Sequence, residues 1–372
     1  MIIGVPREVK DHETRVGLVP AGVHELTALG HQVLVENGAG QSSFFEDEEY
    51  RRASAEMVAS PKELWARAEM ICKVKEPSDP EYKFFRPGLL LFTYLHLAPL
   101  PDLTEQLLQQ QVTAIAYETV ASGEGRLPLL EPMSEVAGRL AVQVGAQYLE
   151  RRYGGRGLLL GGVPGVPAAR VLILGAGMVG TNAARMASGL GAVVTVADRS
   201  AARLRQLDDL LAGRVQTLAA NPSTIAHAVA EADLVIGSVL IAGASAPKVV
   251  TRAMVGRMKR GAVIVDVSID QGGCIETAHP TTHTHPSYIE MDVVHYCVTN
   301  MPAAVPRTST LALTNATFSY VRKLADLGFA QAIAADSGLL RGVNTYQGAL
   351  TYEAVASAQS RPFTPLQQLL AR

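Results

Sequence analysis

Gly175, Gly177 and Gly180 stand at G-x-G-x-x-G spacing directly after the wholly apolar run 171–174, and an acid, Asp198, closes the next apolar run, 193–197. Each residue type has its own physical use. The first glycine permits a tight turn, the second lets backbone approach a pyrophosphate, and the third lets the following helix pack closely on the strand. The N-terminus of that helix then faces phosphate charge. Asp198, 23 positions after Gly175, falls where a carboxylate accepts hydrogen bonds from adenosine ribose hydroxyls. That carboxylate repels a 2'-phosphate, so the constellation predicts NAD rather than NADP. Arg199 tempers the preference, because an arginine there can pair with the extra phosphate. The competing reading is a glycine-cornered turn in an α/β domain that holds no nucleotide. The acid at the second strand end argues against it.

Ligands of open parallel sheets bind outside the carboxyl ends of the strands, and that rule selects further residues. Lys75 follows the apolar run 70–74, His96 follows 89–95, and Arg15 closes the polar loop 7–15 after the first strand. Taken singly, a lysine or arginine is more often a solvated surface charge. His96 sits between Leu95 and Leu97, a setting shared by hydrogen-bonded core histidines and by strand-end acid-base groups, for which an imidazole suits neutral pH. Asp270 follows the buried run 262–267, where a carboxylate can cap a turn or take part in catalysis. His279, His283 and His285 share a loop rich in Pro and Thr without a neighbouring Cys or spaced carboxylate set, so a solvated loop is expected there rather than a metal site.

The elements that must position these groups alternate regularly. Ile2–Val5, Gln32–Glu36, 70–74, 89–95 and 112–116 read as strands, separated by helices near 21–29, Pro61–Arg67 and 102–111. This predicts a second doubly wound parallel sheet beside the one built around the glycine motif. Ser134 reads as the N-cap of a long helix that continues through Val136, Leu140, Val144 and Leu149 until Gly154 and Gly155 stop it. The stretch 308–327, with Gly328 beyond, offers a second long helix. The expected fold is therefore α/β, with two Rossmann-like, doubly wound parallel-sheet domains joined by two long helices that could act as a hinge. The boundaries are 1–133 plus 308–372 for one domain and 134–307 for the nucleotide-binding domain. The alternative is that both helices belong to the core of one domain.

Composition narrows the function classes. The chain has 372 residues, long enough for two cores, and its 48% hydrophobic and 18% charged residues describe a globular protein. A formal charge of -2 leaves no basic excess for nucleic acid. No apolar run approaches bilayer length, and the first residues read as a strand rather than a secretion leader, so a cytoplasmic protein is expected. Cys72, Cys274 and Cys297 are too widely spaced for a disulfide framework or zinc site, and Cys72 falls in a buried strand.

Three blocks, 154–192 (GGRGLLLGGVPGVPAARVLILGAGMVGTNAARMASGLGA), 298–317 (VTNMPAAVPRTSTLALTNAT) and 4–20 (GVPREVKDHETRVGLVP), closely resemble segments of the alanine dehydrogenase family, which also includes the NAD-binding subunit of proton-translocating transhydrogenase. They lie in different parts of the chain and keep one register. The resemblance implies that Arg15 and Lys75 hold the substrate carboxylate and carbonyl, and that His96 and Asp270 are the acid-base residues. For the cofactor side it implies Ser134, Met178, Val179, Asp198, Arg203, Val239, Leu240, Val267, Ser268, Ile269, Asp270, Val298, Thr299, Asn300 and Met301. The chain departs from the family pattern in four places. Thr299 and Ala303 stand where the family more commonly has Ala and Gly, and Ala220 and His279 stand where Ser and Arg are expected.

The implied chemistry is reversible oxidative deamination of L-alanine, within amino-acid catabolism. Hydride leaves the α-carbon for the nicotinamide, the imine takes up water, and the carbinolamine loses ammonia to leave pyruvate. Each polar step moves a proton, for which His96 and Asp270 are suited, while Arg15 and Lys75 orient the carboxylate and polarise the carbonyl. A cleft between the two sheets would exclude water. The resemblance further implies a homohexamer. The alternatives are a free-standing NAD subunit of a transhydrogenase, which would need a membrane partner, and a non-catalytic NAD-responsive module. Joint retention of Arg15, Lys75 and His96 argues against both.

Overall fold

The structure, a computed structural model, describes residues 1–123, 125–239 and 246–371. The chain divides into two compact units, Met1–Met133 with Val305–Arg372, and Ser134–Ala304. The first segment supplies β1 (Ile2–Val5), β2 (Gln32–Glu36), β3 (Glu56–Val58), β4 (Met70–Cys72), β5 (Leu90–Thr93) and β6 (Thr113–Ala116). The middle segment supplies β7 (Arg170–Leu174), β8 (Val193–Asp198), β9 (Gln216–Ala219), β10 (Leu234–Gly237), β11 (Val263–Asp266), β12 (Ser287–Glu290) and β13 (Val293–Tyr296). The last segment adds β14 (Val343–Tyr346) and β15 (Ala349–Leu350).

The first unit's sheet runs β15-β14-β6-β5-β4-β1-β2-β3 and the second unit's β12-β13-β11-β10-β7-β8-β9. In each, six parallel strands follow the doubly wound order 3-2-1-4-5-6. Both sheets are the doubly wound parallel sheets expected, and each carries an antiparallel edge, where β12 pairs with β13 and β14 pairs with both β6 and β15. The hairpins β12–β13 and β14–β15 need no crossover helix, so they add backbone partners at little loop cost, whereas β14 reaches β6 from the far side of the second unit in sequence. Strands β4, β5, β10 and β11 are buried at every position, which explains their continuous apolar runs.

The two long helices differ in detail from the expectation. The first spans Glu131–Tyr148, so Ser134 lies inside its opening turn rather than at its N-cap. It ends at Tyr148 and not at Gly154, which instead closes the short turn Arg151–Tyr153 at φ 90. The unit boundary falls within this helix, and from Ser134 onward it belongs to the second unit. A Cβ on Gly138 would stand 2.2 Å from the Val179 carbonyl oxygen. The second helix, Pro306–Ala335, opens on a proline and breaks at Gly328, whose φ of 72 and ψ of 167 are not helical. It lies in the first unit, where Val16 N–H donates to Thr310 Oγ1 at 3.3 Å. Among the described residues no helix is long and apolar enough to cross a membrane, and no His, Cys, Asp or Glu group could hold a metal. The three cysteines are free and buried.

Candidate functional site

In the second unit the strand order reverses between β7 and β10. Loops leaving the two strands diverge at such a point and open a crevice. The glycine motif leaves β7 there, and its three glycines meet three different environments. Gly175 has φ +104, and a Cβ on it would stand 2.8 Å from the Ser238 carbonyl oxygen after β10. On Gly180 a Cβ would stand 1.8 Å from the Gly175 oxygen, so only hydrogen fits where the helix crosses the turn. Among the described residues, none would lie within 4 Å of a Cβ on Gly177 beyond its own chain neighbours. Gly177 is the N-cap of the helix Met178–Gly189, and the free space beside it fits an approaching phosphate. Met178 and Val179 are half-buried in the first turn of that helix.

Asp198, at the end of β8, accepts the Ala176 N–H at 2.7 Å through Oδ2 and the Ser200 N–H at 2.7 Å through Oδ1. The carboxylate thus ties the glycine turn to the start of the helix Ala201–Leu211. It is half-buried, and its further lone pairs suit ribose hydroxyls. Arg203 is exposed on that helix, its N–H donating to Ser200 Oγ at 3.3 Å.

The other cofactor-side residues follow strand ends of the same sheet. Ser238 and half-buried Val239 follow β10, while Leu240 lies outside the described residues. Val267, Ser268, Ile269 and Asp270 form the turn Val267–Gln271 after β11. Asp270 is exposed, and its Oδ1 accepts the Asn300 N–H at 3.2 Å. That bond joins the turn to the segment after β13, where Val298 and Met301 are buried and Thr299 and Asn300 half-buried. Ser134 is half-buried in the first turns of its helix.

Sequence reasoning missed Asp266, the last residue of β11. It is fully buried and accepts N–H groups from Ser268 (3.0 Å), Cys274 (2.8 Å) and Ile275 (3.1 Å), closing the loop that bears Asp270. Burial pushes its pKa up to about 6 in spite of those donors. Among the loop histidines, His279 stacks on Tyr288 with ring centroids 3.8 Å apart. His283 Nε2 lies 3.3 Å from the Asn300 carbonyl oxygen.

The first unit repeats the arrangement. Its order reverses between β1 and β4, and the loops leaving these two strands carry Arg15 and Lys75. Arg15 is 2% exposed, so the expectation of a solvated surface charge does not hold. Its Nε donates to Glu13 Oε1 at 2.7 Å, its Nη2 to Glu13 Oε2 at 2.5 Å, and its Nη1 to Met133 Sδ at 3.0 Å. This fork fixes the guanidinium plane. Lys75 is half-buried, and the Thr93 hydroxyl donates to its carbonyl oxygen at 3.0 Å.

His96 follows β5 with an exposed side chain, so it is not a core histidine. Its backbone is left-handed at φ 47, an unfavourable conformation for a residue with a Cβ. The ring stacks on Tyr94 at 5.8 Å and 9°. Buried Tyr94 donates to the Leu129 carbonyl oxygen at 2.5 Å and faces Arg15 electrostatically, so it lies beside both functional side chains. Burial raises its pKa, with Arg15 opposing and Glu118 and Glu13 reinforcing. Sequence reasoning also missed Glu13 and Glu118. Glu118 follows β6, so the strand-end rule that selected His96 could have found it.

A glycine-cornered turn at one sheet's reversal point, with an acid at the next strand end, defines a dinucleotide-fold protein of the oxidoreductase kind. Two family models match it: the alanine dehydrogenase/PNT N-terminal domain over residues 4–137 and the alanine dehydrogenase/PNT C-terminal domain over residues 141–353. The chain is 57% identical over 371 residues to the alanine dehydrogenase of Bacillus subtilis, covering 100% of this chain and 98% of that protein. A solved L-alanine dehydrogenase structure superposes with a TM-score of 0.93 at 52% identity, covering 96% of this chain and 99% of that one. A transhydrogenase structure from Sinorhizobium meliloti is more distant, with a TM-score of 0.83 at 26% identity over 94% of this chain and 100% of that one. The chain belongs to the alanine dehydrogenase/PNT family.

Proposed function

We infer that this protein catalyses the reversible, NAD-dependent oxidative deamination of L-alanine to pyruvate and ammonia. Full-length identity of 57% to an alanine dehydrogenase supports this reading, and the glycine turn fits the cofactor because none of the described residues fills the space beside Gly177. When bound, NAD supplies the hydride acceptor. The unit Ser134–Ala304 is the proposed cofactor-binding domain, with Asp198 accepting from the ribose and rejecting a 2'-phosphate. Met1–Met133 with Val305–Arg372 is the proposed substrate domain. There Arg15, its plane set by Glu13, holds the carboxylate, and Lys75 polarises the carbonyl. His96 moves the proton of the reacting oxygen or nitrogen, and Asp270 is the second acid-base group. Ser134, Met178, Val179, Arg203, Val239, Leu240, Val267 to Ile269 and Val298 to Met301 complete the proposed cofactor contacts.

The reading extends to a homohexamer in the cytoplasm, on family resemblance. A transhydrogenase NAD subunit is the second reading, supported by the 26% identical structure. It requires neither amino-acid turnover nor the substrate-side cations. NADH formation with L-alanine, compared with glycine, L-serine and L-valine, separates the two. Absence of any signal with L-alanine from neutral to alkaline pH sinks the alanine dehydrogenase reading.

A further inference from the structure

A buried ionic cluster lies under the substrate-side loops and has no part in the chemistry above. Lys73 is fully buried, with its Nζ 3.1 Å from Glu8 Oε2 and 2.8 Å from Glu81 Oε1. Glu8 stands on the loop from β1 that leads to Arg15, and Lys73 follows β4 on the way to Lys75. The other Glu8 oxygen, Oε1, accepts the Val74 N–H at 2.6 Å. Lys10 and Glu76 pair across the same two segments. The segments also touch through backbone, because a Cβ on Gly17 would stand 2.5 Å from the Cys72 carbonyl oxygen.

Val74 is the residue before Lys75, and its two backbone groups are held from opposite sides. Glu8 takes the N–H, and the Tyr94 N–H donates to its carbonyl oxygen at 3.2 Å. The Thr93 hydroxyl holds the next carbonyl, that of Lys75. Of these clamps, Glu8 alone comes from the loop that carries Arg15. We infer that Glu8 is a positioning residue that sets Lys75 relative to Arg15 by accepting the Val74 N–H. The inference rests on the reading of Arg15 and Lys75 as the substrate-holding pair.

The charge arrangement makes the idea testable without wrecking the fold. Two carboxylates flank one ammonium, so Glu8→Gln leaves Lys73 and Glu81 as a matched pair. With its amide oxygen on the Val74 N–H, Gln keeps the acceptor there while its NH2 replaces the oxygen that faces Lys73 Nζ, so Tm is read beside the kinetics. Burial raises the Glu8 pKa, against Lys73, which lowers it. Glu8→Met keeps similar length and bulk but removes the acceptor.

The experiment measures steady-state kinetics with pyruvate, ammonia and NADH, together with NADH affinity by fluorescence and Tm, on the full chain. Glu8→Met is expected to lower kcat/KM for pyruvate by about tenfold or more, through misplacement of a substrate-holding group. NADH affinity should stay within about twofold, and Glu8→Gln should regain most of the kcat/KM loss. If Glu8→Met does not fold, Glu8→Asp, whose shortened carboxylate no longer reaches Val74, reads the same split. A folded Glu8→Met with unchanged kcat/KM overturns the inference, as does equal loss of pyruvate and NADH handling in all variants. An unmodified protein without alanine turnover would instead sink the functional reading, and the positioning role with it.

Discussion

The Glu118 carboxylate accepts the backbone N–H of His96 at 2.6 Å, and its Oε1 lies 3.9 Å from Nδ1 of the same residue. It also accepts the Leu95 N–H, at 3.2 Å. Left-handed backbone at a residue with a Cβ costs roughly 1–3 kcal/mol and persists only where the surroundings enforce it. Glu118 supplies that enforcement, and the result is an exposed imidazole beyond the carboxyl end of β5 on a fixed stem.

His96→Ala should cut alanine turnover by on the order of a hundredfold or more, the scale of a positioned proton-transfer group. NADH affinity should be nearly unchanged, since the glycine turn belongs to the other unit. Glu118→Ala should also lower turnover at intact NADH affinity, because it releases the His96 N–H. Normal turnover in His96→Ala would remove His96 from the acid-base assignment.

The glycine motif predicts opposite failures at two neighbouring positions. Gly177→Ala adds a methyl where the protein leaves space, so Tm should hold while NADH affinity falls by about tenfold or more, as expected where a methyl blocks close backbone approach to the pyrophosphate. Gly180→Ala adds one 1.8 Å from the Gly175 oxygen. Overpacking of that kind costs about 1–3 kcal/mol or more, so Tm should drop by several degrees. Calorimetry beside NADH titration separates the two, and identical behaviour of both variants would refute the separate roles.

Asp198→Ala should narrow the preference for NAD over NADP by about tenfold, the equivalent of removing roughly 1.4 kcal/mol of repulsion from a 2'-phosphate. The ratio of kcat/KM for the two cofactors measures it. Equal use of both by the unmodified protein would contradict the assignment.

Asp266 links stability to pH with an unusual sign for a carboxylate. Its pKa rises from the ordinary 3.8 to about 6 on folding, chiefly through burial. Between those values the native state binds more protons than the unfolded chain, so its contribution is full below pH 3.8 and is lost as pH climbs through 6. The difference amounts to about 3 kcal/mol. Urea unfolding of Asp266→Asn and the unmodified protein should therefore shift in favour of the variant by that order between pH 4 and pH 7. A pH-independent difference would show that Asp266 does not titrate in this window.

The sequence by itself determined the elements and the nucleotide motif. Apolar runs such as 171–174 and 262–267 must be covered on both faces, so they read as parallel strands, and glycine spacing with an acid at the next strand end has few physical uses. Strand ends likewise marked Lys75, His96 and Asp270. Each of these signals is local in the chain. The family resemblance added roles to positions whose charge alone was ambiguous, notably Arg15 and Lys75.

Only the tertiary structure decided which strands are neighbours, and hence that the Arg15 and Lys75 loops leave adjacent strands β1 and β4 where the order reverses. An apolar run carries no information about its partner, because any two such strands offer the same backbone ladder. The same limit hid the pairing of Glu118 with His96, 22 residues apart, and of Glu8 with Val74, 66 apart. A glutamate in a loop is solvated unless packing brings buried N–H groups to it. Burial then makes leaving those donors unpaired costly, and that cost, absent from the linear chain, turns the two glutamates into determinants of where the functional groups stand.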